Sequence, residues 1–432
     1  NARIGLCAAA SFSVFACTQA LDGMSANSEH FVLLPLVAGL VTIFSPRGVL
    51  TSRRAFAAGL LLGLGVVIKQ HGVVLALFGL TVLVHEVSRK ESSMRGVSLR
   101  VIACTAGIGL PFLMICAWMA AAGNFSNFWF WTFSYAREYS SSAPLAAAWP
   151  SFVRHFARVF APTPLLWLLS ALGLLLVSRS KSLAHNRWFL PLFALFLLIA
   201  ISPGFYYRTH YFVLVLPCAA LLCAVAIDEL CRMRMPRVLA GLAPWVGYLA
   251  LLLALANGLA HEWPSLFSLP PETVSKRRFG PNPFTEAVHI GRYLRENSEA
   301  DATIAILGSE PEIYFYARRN AVTPFIYAYP LMEQHPYATE MQRQMISDIE
   351  VGEPDYLVFV NVSLSWLQRD ASSREIFEWY KPYVREHYVP DGLVEIQRSG
   401  SVMRWGGDTP WPPRSGAWVA VFKRVQSESK GG

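Results

Sequence analysis

The sequence predicts a polytopic α-helical membrane domain of about nine transmembrane helices over residues 1–260, followed by a small soluble α/β domain over residues 261–432. Two observations lead to this division. The chain is 54% hydrophobic and only 15% charged, unlike an ordinary soluble protein. The charge is also unevenly placed, since residues 1–260 carry a net charge of +12 and residues 261–432 a net charge of −4. The net positive charge of the chain is therefore attributed to the loops of a membrane protein and not to a surface that binds nucleic acid.

Most basic residues of the first domain stand in short gaps between long apolar runs. Fourteen of its 19 Lys and Arg residues form these clusters, which are Arg3; Arg47, Arg53 and Arg54; Arg89, Lys90, Arg95 and Arg100; Arg179, Lys181 and Arg187; and Arg232, Arg234 and Arg237. An excess of Lys and Arg in short loops marks the cytoplasmic side of a membrane. The clusters therefore predict a cytoplasmic N-terminus and a C-terminal domain outside the cytoplasm.

The apolar runs have about the length that a membrane-spanning helix needs, roughly 20 residues. We expect helices over residues 4–21, 31–45, 100–121, 163–178, 188–203, 211–228 and 238–260. The block 55–86 is interrupted at its centre by Lys69-Gln70-His71, and we predict a hairpin of two short helices because a hairpin places both flanking basic clusters inside. Within the outer segment 122–162, the aromatic-rich stretch 125–137 predicts a helix in the plane of the membrane interface.

The C-terminal region alternates short β-like runs with helical runs. We expect strands at 303–307, 356–360 and 418–422, a helix ending at Ala317, and another helix over 338–350. Strands separated by helices are typical of a small α/β domain. The turn that begins at Gly308 lies where such sheets often bind ligands, but it lacks the glycine fingerprint of a dinucleotide fold.

Five basic residues fall at or near the outer face of the membrane, where topology does not require them: Lys69, Arg137, Arg154, Arg158 and Arg208. Polar groups at membrane depth are costly, and they are usually functional or paired. Cations on the outer face therefore indicate a bound anionic ligand.

Two polar stretches on that face carry candidate catalytic and phosphate-binding residues. Asn27 and Glu29 stand where a helix descends into the membrane, and they form a helix cap, a catalytic pair, or both. Lys69 and Gln70 stand at the tip of the hairpin. The Lys69 ammonium either binds a phosphate as a compact charge or extends to the interface.

A third polar stretch is a brief outer loop that runs into an apolar helix. It contains Tyr206, Tyr207, Arg208, His210 and Tyr211. Arg208 and His210 are candidates for phosphate binding, since Arg binds phosphate in a bidentate manner. The tyrosines are candidates for contact with an isoprenoid chain or a sugar, and interface anchoring by Tyr and Arg is the alternative. Arg137 joins this set, because its aromatic stretch either forms an interfacial belt or frames a lateral entrance for a lipid.

These stretches, in this order, resemble the polytopic GT-C glycosyltransferases, and more closely the bacterial branch similar to dolichyl-phosphate-mannose–protein mannosyltransferases and the aminoarabinose transferase. The resemblance rests on residues 26–31, Gly59 through Gly63 to Lys69-Gln70, Arg208 through Phe212 to Pro217, and Gly308 to Pro311 followed by 314–318. It implies an inverting transferase of the bacterial inner membrane with a periplasmic C-terminal domain. It would move a sugar from a polyprenyl-phosphate donor to a glycolipid, polysaccharide or protein acceptor.

The resemblance also implies roles for individual residues. Glu29 corresponds to the second acidic position of the family, and Lys69, Arg208 and His210 would hold the lipid phosphate, alone or with a divalent cation. The main catalytic acid of the family lies in a first outer loop that precedes anything in this sequence. We therefore expect N-terminal helices and that loop to be missing from the chain, which leaves the main catalytic base unassigned.

Two other functions would use some of the same features. A transporter or flippase of polyprenyl-linked sugars also needs outer cations and aromatic residues, although transporters usually contain inverted repeats with broken helices in both halves. A membrane-anchored module that binds an envelope polymer would not need so many helices.

Overall fold

The computed structural model of the chain describes residues 2–44, 50–91, 93–140, 144–181, 183–233, 236, 241–397, 400–407, 409 and 411–425. Three residues of the basic clusters, Arg47, Arg234 and Arg237, lie outside the described residues. The chain divides into two compact units, Asn1–Ser268 and Leu269–Gly432. The division follows a helix that continues to Trp263, beyond the end predicted at residue 260.

The described part of the first unit consists of helices joined by turns and short loops. Its α-helices are α1 (Ala2–Ala16), α2 (Ser28–Phe44), α3 (Ser52–Ile68), α4 (Gly72–Lys90), α5 (Met94–Ala121), α6 (Phe125–Trp129), α7 (Tyr135–Ser140), α8 (Ala148–Phe160), α9 (Pro164–Leu176), α10 (Phe189–Ile201), α11 (Leu216–Cys231) and α12 (Ala243–Trp263). A π-helical turn over Phe130–Ser134 joins α6 to α7, so the predicted interface segment is helical. A 3₁₀ segment, Thr209–Val215, leads into α11.

The apolar block around Lys69 forms the predicted hairpin. Helix α3 ends at Ile68, Lys69 is extended, and α4 begins at Gly72. The two helices fold back on each other, because Gly72 lies against the Gly65 carbonyl and Gly79 lies against the Leu62 side chain. A Cβ atom at position 72 would overlap the Gly65 backbone, so this tight turn requires glycine there.

Several of the predicted cytoplasmic gaps meet at the other end of the helices. The Arg54 guanidinium donates to the Thr42 carbonyl at 2.8 Å, which joins the start of α3 to the end of α2. Arg100 forms an ion pair with Glu91 at 2.9 Å. Arg89 donates to the His185 carbonyl at 3.2 Å, in the loop before α10. The basic cluster at the end of α4 and the loop before α10 therefore lie at the same end of the unit. The predicted topology expects this, because it places both on the same side of the membrane.

Four helices of the described chain are long and apolar enough to cross a membrane, or five if one bent pair counts as a single span. The four are Gly72–Lys90, Met94–Ala121, Thr209–Cys231 and Ala243–Ser268. The bent pair joins Leu145–Phe160 to Pro164–Leu176 at an angle of 116°. Shorter apolar helices occupy Ala2–Ala16, Ser28–Phe44 and Phe189–Ile201. A 17-residue helix such as α2 is about 25 Å long, less than a hydrocarbon core of about 30 Å. Length alone therefore does not establish nine spans.

The second unit combines helices with one mixed sheet. Its α-helices are α13 (Pro271–Phe279), α14 (Phe284–Glu296), α15 (Pro311–Ala317), α16 (Tyr329–Met332), α17 (Ala338–Gly352), α18 (Ser363–Trp366) and α19 (Glu375–His387). Its strands are β1 (Thr303–Leu307), β2 (Asn320–Ala321), β3 (Tyr356–Asn361), β4 (Tyr388–Glu395), β5 (Val402–Trp405) and β6 (Trp418–Arg424). The three strands predicted from the sequence correspond to β1, β3 and β6.

The sheet has the order β2-β1-β3-β6-β4-β5. Strand β1 pairs in parallel with β2 and β3, whereas β6 runs antiparallel to both β3 and β4. One face carries a core of Ile290, Ile304, Val358 and Val421, with α14 and α15. On the other face, Phe359 stacks on Tyr380 of α19 at 4.0 Å between ring centroids. The mixed topology places the aromatic side chains of β3, β6 and α19 together.

Candidate functional site

The centre of the candidate site is an ion pair between two residues that are forty positions apart. The Lys69 ammonium, at the hairpin tip, donates to Glu29 Oε1 in the first turn of α2. The Glu29 side chain is fully buried, and its second oxygen accepts a bond from the Ser28 hydroxyl at 3.3 Å. A carboxylate in a first helical turn is also favoured by the helix dipole. Glu29 therefore fixes the position of the Lys69 ammonium, whose side chain remains 20% exposed.

His210 joins this ion pair from a third part of the chain. Its Nε2 atom lies 4.0 Å from Glu29 Oε1, and its Nδ1 atom lies 3.8 Å from Asp22 Oδ2. Asp22 adopts a left-handed backbone conformation with a φ of 54°, which Asp tolerates better than most residues. The loop between α1 and α2 and the start of the 3₁₀ segment therefore both contribute to the same site.

The Tyr211 ring forms the floor beneath these charged groups. The Lys69 ammonium lies 4.6 Å from the centroid of this ring, within the range of a cation–π interaction. The rings of His71 and His210 meet the Tyr211 ring edge to face, at 5.0 and 4.9 Å between centroids. The Nδ1 atom of His71 is buried and has no hydrogen-bond partner among the described residues.

Gln70 connects the hairpin tip to the interface segment. Its side-chain amide donates to the Thr132 carbonyl in the π-helical turn between α6 and α7. This bond holds the aromatic segment beside the ion pair. Gln70 therefore positions a neighbouring element and does not reach Glu29.

Arg208 directly precedes the 3₁₀ segment that carries His210 and Tyr211, and it lines a neighbouring cavity. Its guanidinium lies 5.6 Å from the centroid of the Tyr206 ring. The cavity has a volume of about 380 Å³, and Arg154, His155, Tyr206 and Arg208 line it. Two arginines in the lining favour an anionic ligand, and one of them, Arg154, comes from the amphipathic helix α8.

Three of the predicted residues lie away from the ion pair or serve another purpose. The Asn27 amide donates to the Asp22 carbonyl at 3.2 Å and so shapes the loop. Tyr207 is buried against Phe152, and its hydroxyl donates to Ser202 at 3.3 Å. The Arg137 side chain is 82% exposed and lies 3.4 Å from Glu138.

The structure adds two residues that were not among the predicted site residues, Asp22 and His71. The sequence did contain a signal for both, because each stands in a polar turn between apolar helices on the predicted outer face. Their contacts with His210 and Tyr211 could not be deduced from their positions in the sequence.

A divalent cation was a further possibility for this site. Within the described ranges, no three His, Cys, Asp or Glu side chains come together in a way that would hold a metal ion. His210 lies near both Asp22 and Glu29, and Lys69 already occupies one Glu29 oxygen. The cationic side chains that the described residues contribute here are Lys69 and Arg208.

The chain was compared with protein-family models, with curated proteins and with solved structures, and none of them matches it.

Proposed function

We propose that this protein is a membrane glycosyltransferase that takes a sugar from a polyprenyl-phosphate donor and transfers it to an envelope acceptor. The observation that carries the proposal is the meeting of three distant stretches at one site, through Glu29, Lys69 and His210. These are the stretches on which the resemblance to GT-C glycosyltransferases rests. A lipid-linked phosphate would be both anionic and long, and the site offers cations beside an aromatic segment.

The proposal includes a topology. We place nine spans in the membrane, with the short helices α1, α2, α3, α9 and α10 accommodated by local thinning of the bilayer. The ion pair then lies at the outer face of the bacterial inner membrane and the C-terminal unit in the periplasm. A Cys at position 68 or 73, on either side of the hairpin tip, should react with an impermeant maleimide added from outside. Exclusive reaction from the cytoplasm would contradict this topology.

The proposed chemistry is stabilisation of the leaving phosphate. When the bond between the sugar and the phosphate breaks, negative charge develops on the phosphate oxygens, and fixed cations lower the energy of that state. Lys69 supplies one cation, held in place by Glu29 and by the Tyr211 ring. Arg208 supplies a second from the neighbouring loop. Glu29 is thus a positioning residue, because both of its oxygens are engaged within the protein.

The test is sugar transfer by the purified full-length protein, with radiolabelled polyprenyl-phosphate sugars and an envelope extract. Lys69→Ala and Arg208→Ala should each reduce transfer by at least a hundredfold, since one electrostatic donor contributes about 3 kcal/mol to such steps. Lys90→Ala is the matched control, because Lys90 pairs with Glu86 at the opposite end of α4. Normal transfer by both site variants would refute the phosphate assignment. Donor movement across proteoliposomes without any transfer would support the flippase instead.

A further inference from the structure

The C-terminal unit contains a large cavity on the aromatic face of its sheet. Its volume is about 1200 Å³, somewhat above the usual range of small-molecule sites, which is roughly 300–1,000 Å³. The walls come from β3, β6 and α19 and from the segment before β6. Nothing in the proposed transfer reaction uses this cavity, and its chemistry differs from that of the Lys69 site.

Aromatic rings at several angles line the cavity. Trp411 is 47% exposed, and its ring meets the Trp418 ring at 82° and the Phe422 ring at 69°. Behind them, Phe359 stacks on Tyr380. Exposed indole faces are costly in water, and they commonly pack against a ligand that has an apolar face. The C–H face of a sugar ring is such a surface.

Polar groups accompany the rings. The Asn361 amide nitrogen donates to the Gly416 carbonyl at 3.1 Å, while its Oδ1 atom accepts no bond from the described residues. Ser363 and Gln368 are exposed on the same wall. Amide and hydroxyl groups of this kind bind the hydroxyl groups of a sugar. An acyl or isoprenoid chain would leave them unpaired, at a cost.

Two cations complete the lining. Lys381 and Arg385 stand one turn apart on α19, on the side of the helix that also presents Phe377. Neither forms an ion pair with another described residue, and none of the described lining residues is Asp or Glu. The unit as a whole is acidic, with a net charge of −4 over residues 261–432. The cavity is therefore a local positive region, and two like charges at this spacing are unfavourable until an anion lies between them.

We propose that this cavity binds an anionic carbohydrate, such as a uronic-acid or phosphorylated sugar unit of an envelope glycan. The Trp411 face stacks on a sugar ring, Asn361, Ser363 and Gln368 bind its hydroxyl groups, and Lys381 and Arg385 bind its carboxylate or phosphate. A free phosphate would not need the indole faces, and a neutral glycan would not need the cations. The inference does not depend on the transfer reaction, because binding here requires no donor.

The test measures binding of the full-length protein in detergent to immobilised oligosaccharides of equal length that carry uronic acids, phosphates or no charge. Wild-type protein should retain anionic members at low salt and release them as salt rises. Trp411→Ala and the double variant Lys381→Ala/Arg385→Ala should each weaken that binding at least tenfold. The double variant keeps the core intact, since both side chains are exposed on α19.

Trp379→Ala and Arg369→Ala are the matched controls, because neither residue lines the cavity. Both should bind as wild type. Lys69→Ala should also bind normally, which separates this site from the proposed transferase site. The proposal is overturned if wild-type protein retains no anionic oligosaccharide, if it prefers the neutral ones, or if the cavity variants bind as tightly as wild type.

Discussion

Removal of the Lys69 charge is the sharpest test of the site, because it leaves the Glu29 carboxylate buried without a partner. Loss of one member of a buried ion pair typically costs about 3–5 kcal/mol of unfolding free energy. Since the Lys69 side chain is 20% exposed, we expect the lower end of that range, about 3 kcal/mol, for Lys69→Met. Glu29→Gln should be destabilising for the same reason. The double variant Lys69→Met/Glu29→Gln should lose much less than the sum of the two single changes.

The assay is unfolding of the detergent-solubilised protein by SDS, followed by tryptophan fluorescence. The same cycle at Lys90 and Glu86 is the control, because that pair joins the same residue types at 2.9 Å while Lys90 is 47% exposed. Solvent reaches the Lys90 end of this pair although the Glu86 side chain is only 8% exposed, and a surface pair of this spacing contributes only about 0.3–0.5 kcal/mol. If the coupling between Lys69 and Glu29 is no larger than the coupling in the control pair, the carboxylate is not held as the structure indicates.

Three further predictions concern packing, connection and pH. Gly107→Leu should lower the free energy of unfolding by about 1–3 kcal/mol, because a side chain at this position meets the α3 backbone. Gly109→Leu should have little effect, since Gly109 faces open space. Thermal unfolding of the two variants checks this difference. Gln70→Ala should speed hydrogen exchange in α6 and α7 with little change in melting temperature, because it removes only the bond to Thr132. Glu310 is buried, and burial raises the pKa of its carboxyl from 4.5 to about 7. As the pH rises, the unfolded chain loses this proton before the folded protein does. The free energy of unfolding of the wild type should therefore fall by up to about 3 kcal/mol between pH 4.5 and 7 and stay level above pH 7. The difference in melting temperature between wild type and Glu310→Gln should follow the same pH dependence.

Most of the organisation of the membrane unit could be predicted from the sequence, because hydropathy and charge patterns extend over many residues. The break at Lys69 was predicted as a hairpin tip, and α3 and α4 do fold back there. The number of spans could not be predicted in the same way, because an apolar run of 15 to 17 residues fits either a span across a locally thinned bilayer or a helix buried within the unit.

The sheet of the C-terminal unit was predicted only in part. Strands β1, β3 and β6 are short runs of apolar residues, which form the buried middle of the sheet. Strand β4 escaped prediction because it contains Pro390 and Gly392, which are depleted in strands. The pairing with β6 accommodates them through an irregularity between these two residues. Local propensity could not show this, since the irregularity depends on the partner strand.

The candidate residues were predictable as types, but their partners were not. An outer Lys, an outer Glu and an outer His stand out in an apolar sequence at any spacing. That Lys69 pairs with Glu29, while Asn27 turns to the Asp22 backbone, depends on how α2 packs beside the hairpin. Sequence spacing carries no information about such a contact between separate elements.

The buried pair also says something about why these residues are present. A buried ion pair is often no more stable than a well-packed apolar pair of similar volume, because two charges lose their hydration. An apolar hairpin tip would hold α2, α3 and α4 together as well, and the Tyr211 floor would pack against it. Glu29→Leu/Lys69→Met should therefore fold with stability equal to or above that of wild type, yet bind no lipid phosphate. The charge at this tip is then explained by a ligand and not by the fold. If the double variant unfolds, the Glu29–Lys69 ion pair is needed for folding, and its role is structural.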